Sequence, residues 1–225
     1  MQHSLAAHDH QGGAHKLTQN RSAAVMQQRS EPHDSLDDFP TPPWATRALC
    51  EALHVCNWPH HFRNQTAREP AANRGHMVKP LREYFREVQA SDIFDYGAGF
   101  PQADYLFGPH PDPVDWTITN PPFRLAEQFI SRALATSREG VAMIVRSAFL
   151  EGVSRHANLF SLTPPSLILQ FAERVVMHKG KLSANGSTAT AYCWLVWSKG
   201  QSGSTAFNWI PPCRKRLERP GDYPE

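Results

Sequence analysis

The stretch Val114-Asp115-Trp116-Thr117-Ile118-Thr119-Asn120-Pro121-Pro122-Phe123-Arg124-Leu125-Ala126-Glu127-Gln128-Phe129-Ile130 decides how the rest of the chain is read. Trp116–Thr119 is a short apolar run, as a buried strand requires. It stops at Asn120, because the two prolines that follow have no N–H to give a ladder and fix the backbone. Beyond them the period changes. Leu125, Phe129, Ile130 and Leu134 fall on one side of a helix spanning Leu125–Ala135. Strand, stiff turn and helix therefore follow one another without a spare residue.

The same alternation extends in both directions. Val88–Ile93, Val141–Val145, Leu167–Phe171 and Ala189–Trp197 are further strand candidates. Strands separated by helices of this size predict an α/β fold with a mostly parallel sheet and helices on both faces. Too few residues separate Leu167–Phe171 from Ala189–Trp197 for a confident helix, which predicts an antiparallel edge pair. Upstream, Asp38-Phe39-Pro40-Thr41-Pro42-Pro43 cannot be helical, since each proline pushes its predecessor to extended backbone. A helix then starts near Pro43 with Trp44, Ala48, Leu49 and Leu53 on one face. Residues 54–66 read as a polar loop. Gly75–Val88 has helical spacing that Pro80 should limit or kink.

The chain has 225 residues with 40% apolar content and a formal charge of +2, ordinary values for a single globular body. No basic field announces nucleic acid, so any such partner must be argued from a site. Residues 1–34 are polar and aperiodic and read as a disordered tail, followed by a domain over 35–212 and a basic C-terminal tail over 213–225. His3, His8, His10 and His15 in the first segment read as a solvated arm, and no metal site is expected. The four cysteines show no CxxC spacing, so neither disulfides nor zinc are expected, and Cys193 reads as a buried thiol. With no apolar leader and no run near the ~18 residues that span a bilayer, the expected location is the cytoplasm, away from membranes.

Open α/β sheets bind ligands at strand carboxyl ends, which is where Asn120–Phe123 falls. The Asn120 side-chain oxygen and the Pro121 carbonyl, stiffened by Pro121 and Pro122, form a pair of rigid acceptors beside the Phe123 ring. Such a pair suits a conjugated amine. Accepting both of its N–H groups frees the nitrogen lone pair for attack without a strong base, while Phe123 offers a stacking face to an extruded base.

These residues closely resemble the (D/N)PP(Y/F) motif of S-adenosylmethionine-dependent DNA adenine-N6 methyltransferases, and Arg124–Ile130 resembles the helix after it in phage and prophage members. The similarity runs from about Asp37 to Tyr223. It implies a Rossmann-like methyltransferase fold, S-adenosyl-L-methionine as cofactor, DNA as partner, and Asn120, Pro121, Pro122 and Phe123 as the catalytic set. It also implies a cofactor loop in Glu69-Pro70-Ala71-Ala72-Asn73-Arg74-Gly75-His76-Met77, similar to Glu-Pro-Ala-x-Gly-x-Gly with Asn73 at the first glycine position. Asn tolerates left-handed backbone better than other side chains. Glu69, Pro70, Ala71 and Gly75 are then cofactor candidates, as is Asn120. Asp92 would meet the ribose, Asp104 the adenine amine, and Ile93 or Phe107 the ring. Phe39-Pro40-Thr41-Pro42-Pro43 resembles the segment that closes over the methionyl end, adding Thr41 and Pro42.

Only about 100 residues follow Phe123, too few for a large recognition domain. Target contacts would come from loops bearing Arg146, Arg155, His156, His178, Lys179 and Lys181. The run Arg214-Lys215-Arg216-Leu217-Glu218-Arg219 is either a solvated tail or a phosphate contact. Two alternatives stay open: the same motif acting on RNA or on protein glutamine, and an inactive relative that only binds nucleic acid.

Overall fold

A computed structural model describes residues 37–55, 62–200 and 203–223. The segment read as a polar tail, with its four histidines, lies outside the described residues, as does Cys56.

Seven strands form one sheet: β1 (Thr66–Glu69), β2 (Glu87–Ala90), β3 (Val114–Thr119), β4 (Ser137–Arg146), β5 (Leu167–Phe171), β6 (Tyr192–Ser198) and β7 (Ala206–Ile210). Their order is β2-β1-β3-β4-β6-β5-β7. β2, β1, β3 and β4 are mutually parallel, and β6 runs antiparallel to both β4 and β5. The sheet is thus mostly parallel, with β5 and β6 paired antiparallel as expected. β6 is not at the edge, however. β7 pairs parallel to β5 and occupies the outer position.

Side-chain alternation along the strands builds two cores. Ala142, Ile144, Trp194 and Val196 face α1 (Pro43–Val55) and α2 (Val78–Tyr84). Val141, Met143, Val145, Cys193, Leu195 and Trp197 face α3 (Ala126–Thr136). Neighbours along β4 and β6 therefore serve opposite layers, and helices cover both faces. Gly140 is required by this packing: a Cβ there would lie 2.5 Å from the Trp116 ring. The described cysteines Cys50, Cys193 and Cys213 are free and buried.

Three elements depart from the sequence expectations. β1, between the polar loop read over 54–66 and the loop that opens at Glu69, was not read as a strand, because Thr66-Ala67-Arg68-Glu69 carries a single apolar residue. Its polar side chains are nonetheless buried and partnered: Arg68 donates to the Asp112 carbonyl at 2.5 Å and to Gln89 at 3.0 Å. α2 covers only Val78–Tyr84 of the expected Gly75–Val88, and of the two effects expected of Pro80 it is the limit that fits. Pro80 sits in the first turn, where backbone N–H groups have no helical partner. β7 was missed because Ala206-Phe207-Asn208-Trp209-Ile210 is an edge strand exposed at four of its five positions.

Residues 213–223, read as a basic tail, pack on the body through α5 (Arg214–Leu217) and Asp222. Arg214 pairs with Glu218, Arg216 with Glu51 and Arg219 with Glu83. Arg214, Arg216 and Arg219 are thus paired within the molecule, and the segment is packed on the body rather than a free tail. The anchor is Arg47 of α1, fully buried. It donates to Glu83 at 2.8 and 2.9 Å, to Asp222 at 2.6 and 2.9 Å, and to the Leu217 carbonyl at 2.7 Å. Among the described residues no helix is long and apolar enough to cross a membrane. A short helix α4 (Val153–Arg155) and irregular turns link β4 to β5.

Asp222→Ala strips Arg47 of two of these bonds inside the core, so urea denaturation should show a loss of about 3–5 kcal/mol. Burial alone would raise the Asp222 carboxyl, but its bonds from Arg47 and the Arg219 N–H hold it below the ordinary range. Its contribution is present above that range and lost as pH falls through the depressed value, so wild type and variant should converge in strong acid.

Candidate active site

Because β2, β1, β3 and β4 are parallel, their carboxyl ends share one edge of the sheet. The chain leaves β1 at Glu69 and turns tightly, with the Gly75 N–H donating to the Ala72 carbonyl at 2.7 Å. Asn73 takes the left-handed conformation at φ 50°, so the asparagine does supply the backbone geometry of the glycine it replaces. Its N–H donates to Asp92 Oδ2 at 2.8 Å. Gly75, at φ 83°, also leaves room for the Phe100 ring, which a Cβ would meet at 3.0 Å.

Opposite this turn, β3 ends in Asn120–Phe123. The Asn120 amide is held through its nitrogen, which donates to the Phe39 carbonyl at 2.9 Å and faces the Met177 sulfur at 3.8 Å. A carbonyl partner fixes which end of the amide is nitrogen. The Asn120 Oδ1 atom is buried and has no hydrogen-bond partner in the protein. Such an atom loses solvation without compensation. The Phe123 N–H donates to Asp37 Oδ2 at 2.8 Å, and the Leu125 N–H closes the turn onto the Pro122 carbonyl at 2.9 Å.

A single cavity joins the two sides. It is lined by Asp37, Phe39, Pro40, Thr41, Ala71, Ala72, Asn73, His76, Met77, Asp92, Ile93, Tyr96, Asn120, Pro122 and Phe129. Of the residues singled out from sequence, Thr41, Ala71, Asp92, Ile93, Asn120 and Pro122 meet there. Pro42, Glu69, Pro70, Gly75, Pro121 and Phe123 lie outside the lining. Asp104 and Phe107 are surface residues, and Asp104 Oδ1 accepts the Leu106 N–H at 2.9 Å. β2 ends at Ala90, three residues before the expected end of that strand, so Asp92 and Ile93 lie past it, and Asp92 is bridged to Gln102.

Glu69 acts from beneath. It is fully buried and accepts the Thr119 hydroxyl at 2.5 Å and the Ala71 N–H at 3.0 Å. Burial pushes its carboxyl up to about 8, opposed by those two bonds and reinforced by Asp92. Burial likewise raises Asp92 against the bonds it accepts from the Phe94 and Asn73 N–H groups. His76 is lowered by burial and by Arg74.

The Phe123 ring was expected to offer an open face. It is instead covered: the Arg146 guanidinium lies 4.0 Å from its centroid and the Phe39 ring 5.2 Å. Of the expected phosphate ligands, Arg155 is engaged with Glu127 and with the Phe149 and Glu151 carbonyls. Sequence reasoning missed Met177, which lies on a loop remote from every motif and carries no signal. Tyr96 was also missed, although its neighbours Gly97 and Gly99, both at φ 74°, mark a tight turn. Among the described residues there is no group of three metal-ligating side chains.

Neither a protein-family model nor a curated protein matches the sequence. Solved structures do. A Listeria monocytogenes protein assigned to the class I S-adenosylmethionine-dependent methyltransferases superposes with a TM-score of 0.57 at 12% identity, over 79% of this chain and 68% of that one. A type I restriction-modification methyltransferase subunit from Streptococcus thermophilus gives 0.58 at 11%, over 84% of this chain and 50% of its own length. A Pyrococcus horikoshii protein assigned as an RNA methyltransferase gives 0.52 at 16%, over 76% and 91%. The fold is therefore the Rossmann-like one of S-adenosylmethionine-dependent methyltransferases.

The raised Glu69 carboxyl has a measurable consequence. Folded protein keeps that proton up to about pH 8 while unfolded chain releases it near 4.5. Stability from this group is full below the lower value and falls by up to about 1.4 kcal/mol per pH unit between the two. Glu69→Gln, a neutral isostere, should flatten that part of the slope. Urea denaturation of both proteins at several pH values from 5 to 8 measures it, and parallel curves would refute a neutral Glu69.

Proposed function

We propose that this chain transfers a methyl group from S-adenosyl-L-methionine to the N6 amine of adenine in DNA. One observation carries it: Asn120 Oδ1 is a buried, unpartnered acceptor beside a cavity that also holds the Ala71–Asn73 turn and Asp92. An acceptor held in that state lacks one partner, an N–H donor, and the amine of a base provides it.

The residues lining the cavity fit the cofactor in kind. Thr41 and the small-residue turn at Ala71–Asn73 would hold the methionyl end, Asp92 the ribose hydroxyls, and Ile93 the adenine ring. The free volume is ≈ 90 Å³, below the ~300 Å³ at which ligand pockets usually begin, so binding requires the cavity to widen. When bound, the cofactor supplies an electrophilic methyl on a sulfonium.

This chain's own groups act on the acceptor. Asn120 Oδ1 and the Pro121 carbonyl take the two N–H groups of the amine, turning its lone pair away from the ring and out of conjugation. Pro121 and Pro122 stop the turn from relaxing, so this orientation costs little reorganisation. The amine proton is released only once the nitrogen has become cationic, when it is strongly acidic and needs no strong base. Phe123 stacks on the extruded base, offsetting part of the few kcal/mol spent on unstacking. The Phe at position 123 and the resemblance of the Pro40-Thr41-Pro42 segment to phage enzymes support DNA as the acceptor.

Labelled methyl transfer to DNA, RNA and protein, followed by digestion, tests the reading; label in N6-methyladenine from DNA is the expected result, and label only in RNA or glutamine overturns it. Asn120→Ala should lower kcat by about 10²-fold or more while calorimetry shows cofactor affinity largely intact.

A further inference from the structure

Arg146 ends β4, beside the turn that follows β3. Its guanidinium carbon is 4.0 Å from the Phe123 centroid and 5.8 Å from that of Phe39. The guanidinium therefore lies over the ring on which the methyl-transfer reading places the base. The Arg146 Nε is, in addition, buried without a hydrogen-bond partner. Arg47, by contrast, uses its whole fork in five bonds. Arg146 is held by ring stacking and leaves a donor unmet.

We propose that Arg146 is the place-holder of the target base: its guanidinium covers Phe123 in the free protein and leaves the ring when a planar base is inserted. This rests on the methyl-transfer reading above. Two features favour exchange. The contact is non-directional, so an incoming base reproduces it. The displaced cation carries five N–H donors toward a strand of phosphates, where its unmet Nε gains an acceptor. An empty aromatic slot would otherwise collapse or fill with water.

The arginine side chain can be followed directly by NMR in the full chain labelled with ¹³C,¹⁵N-arginine, with Arg146→Lys for assignment. In free protein the Arg146 δ and ε protons should resonate upfield from the ring current of Phe123, and Phe123→Leu should abolish the displacement. Saturation with an adenine-containing single-stranded oligodeoxynucleotide should remove it as well. In parallel, 2-aminopurine in that oligonucleotide should be quenched by Arg146→Ala at least as strongly as by wild type, while Phe123→Ala should lose most of the quenching. Absence of the upfield shift in free protein overturns the proposal. So does its persistence with oligonucleotide bound, and so does an Arg146→Ala variant that loses quenching as Phe123→Ala does. A protein that methylates DNA while Arg146 stays on the ring fails the proposal alone. One that neither binds nor methylates any nucleic acid fails the methyl-transfer reading, and the place-holder falls with it.

Discussion

The hydrogen bond from the Thr119 hydroxyl to the buried Glu69 carboxyl joins the ends of β1 and β3, and the site is arranged around it. Glu69 opens the turn that carries Ala71–Asn73, and Thr119 immediately precedes Asn120. A single contact in the core thus sets the offset between the two halves of the cavity. In so apolar a setting an ionised carboxylate would be costly. The raised pKa shows which way the protein resolves this: the group is kept neutral and serves as an architectural pin.

From that pin outward, positions follow from backbone geometry more than from side-chain chemistry. Parallel strands bring four carboxyl ends to one edge, prolines stiffen the turn after β3, and Asn73 supplies the left-handed bend beside Asp92. The charge pattern serves a different purpose. Arg47 with Glu83 and Asp222 fastens the C-terminal segment to α1.

How much of this was legible in the sequence depends on what each residue contacts. β3, α3 and β5 were read nearly in register because their apolar residues are periodic and their ends are marked by proline or polar turns. β1 was not, since Arg68 and Glu69 are buried by virtue of partners distant in sequence, and hydropathy records no partners. β7 escaped for the opposite reason, being an edge strand with little to bury. Asn120, Thr41 and Asp92, which line one cavity, were singled out through motifs. The covering of Phe123 by Arg146 was not, because it depends on the sheet bringing the end of β4 beside the end of β3.

The segment Asp37–Thr41 touches both halves of the cavity at once. Asp37 holds the Phe123 N–H, the Phe39 carbonyl holds the Asn120 amide, and Asp38 accepts from the Asn73 side chain at 2.7 Å and pairs with Arg74. One short length of extended chain is therefore a latch with three catches, and it cannot be raised from one side only. On the proposed reading, any movement of this segment reaches the seats of cofactor and acceptor base together, so by reciprocity each would change the other's affinity by the same factor.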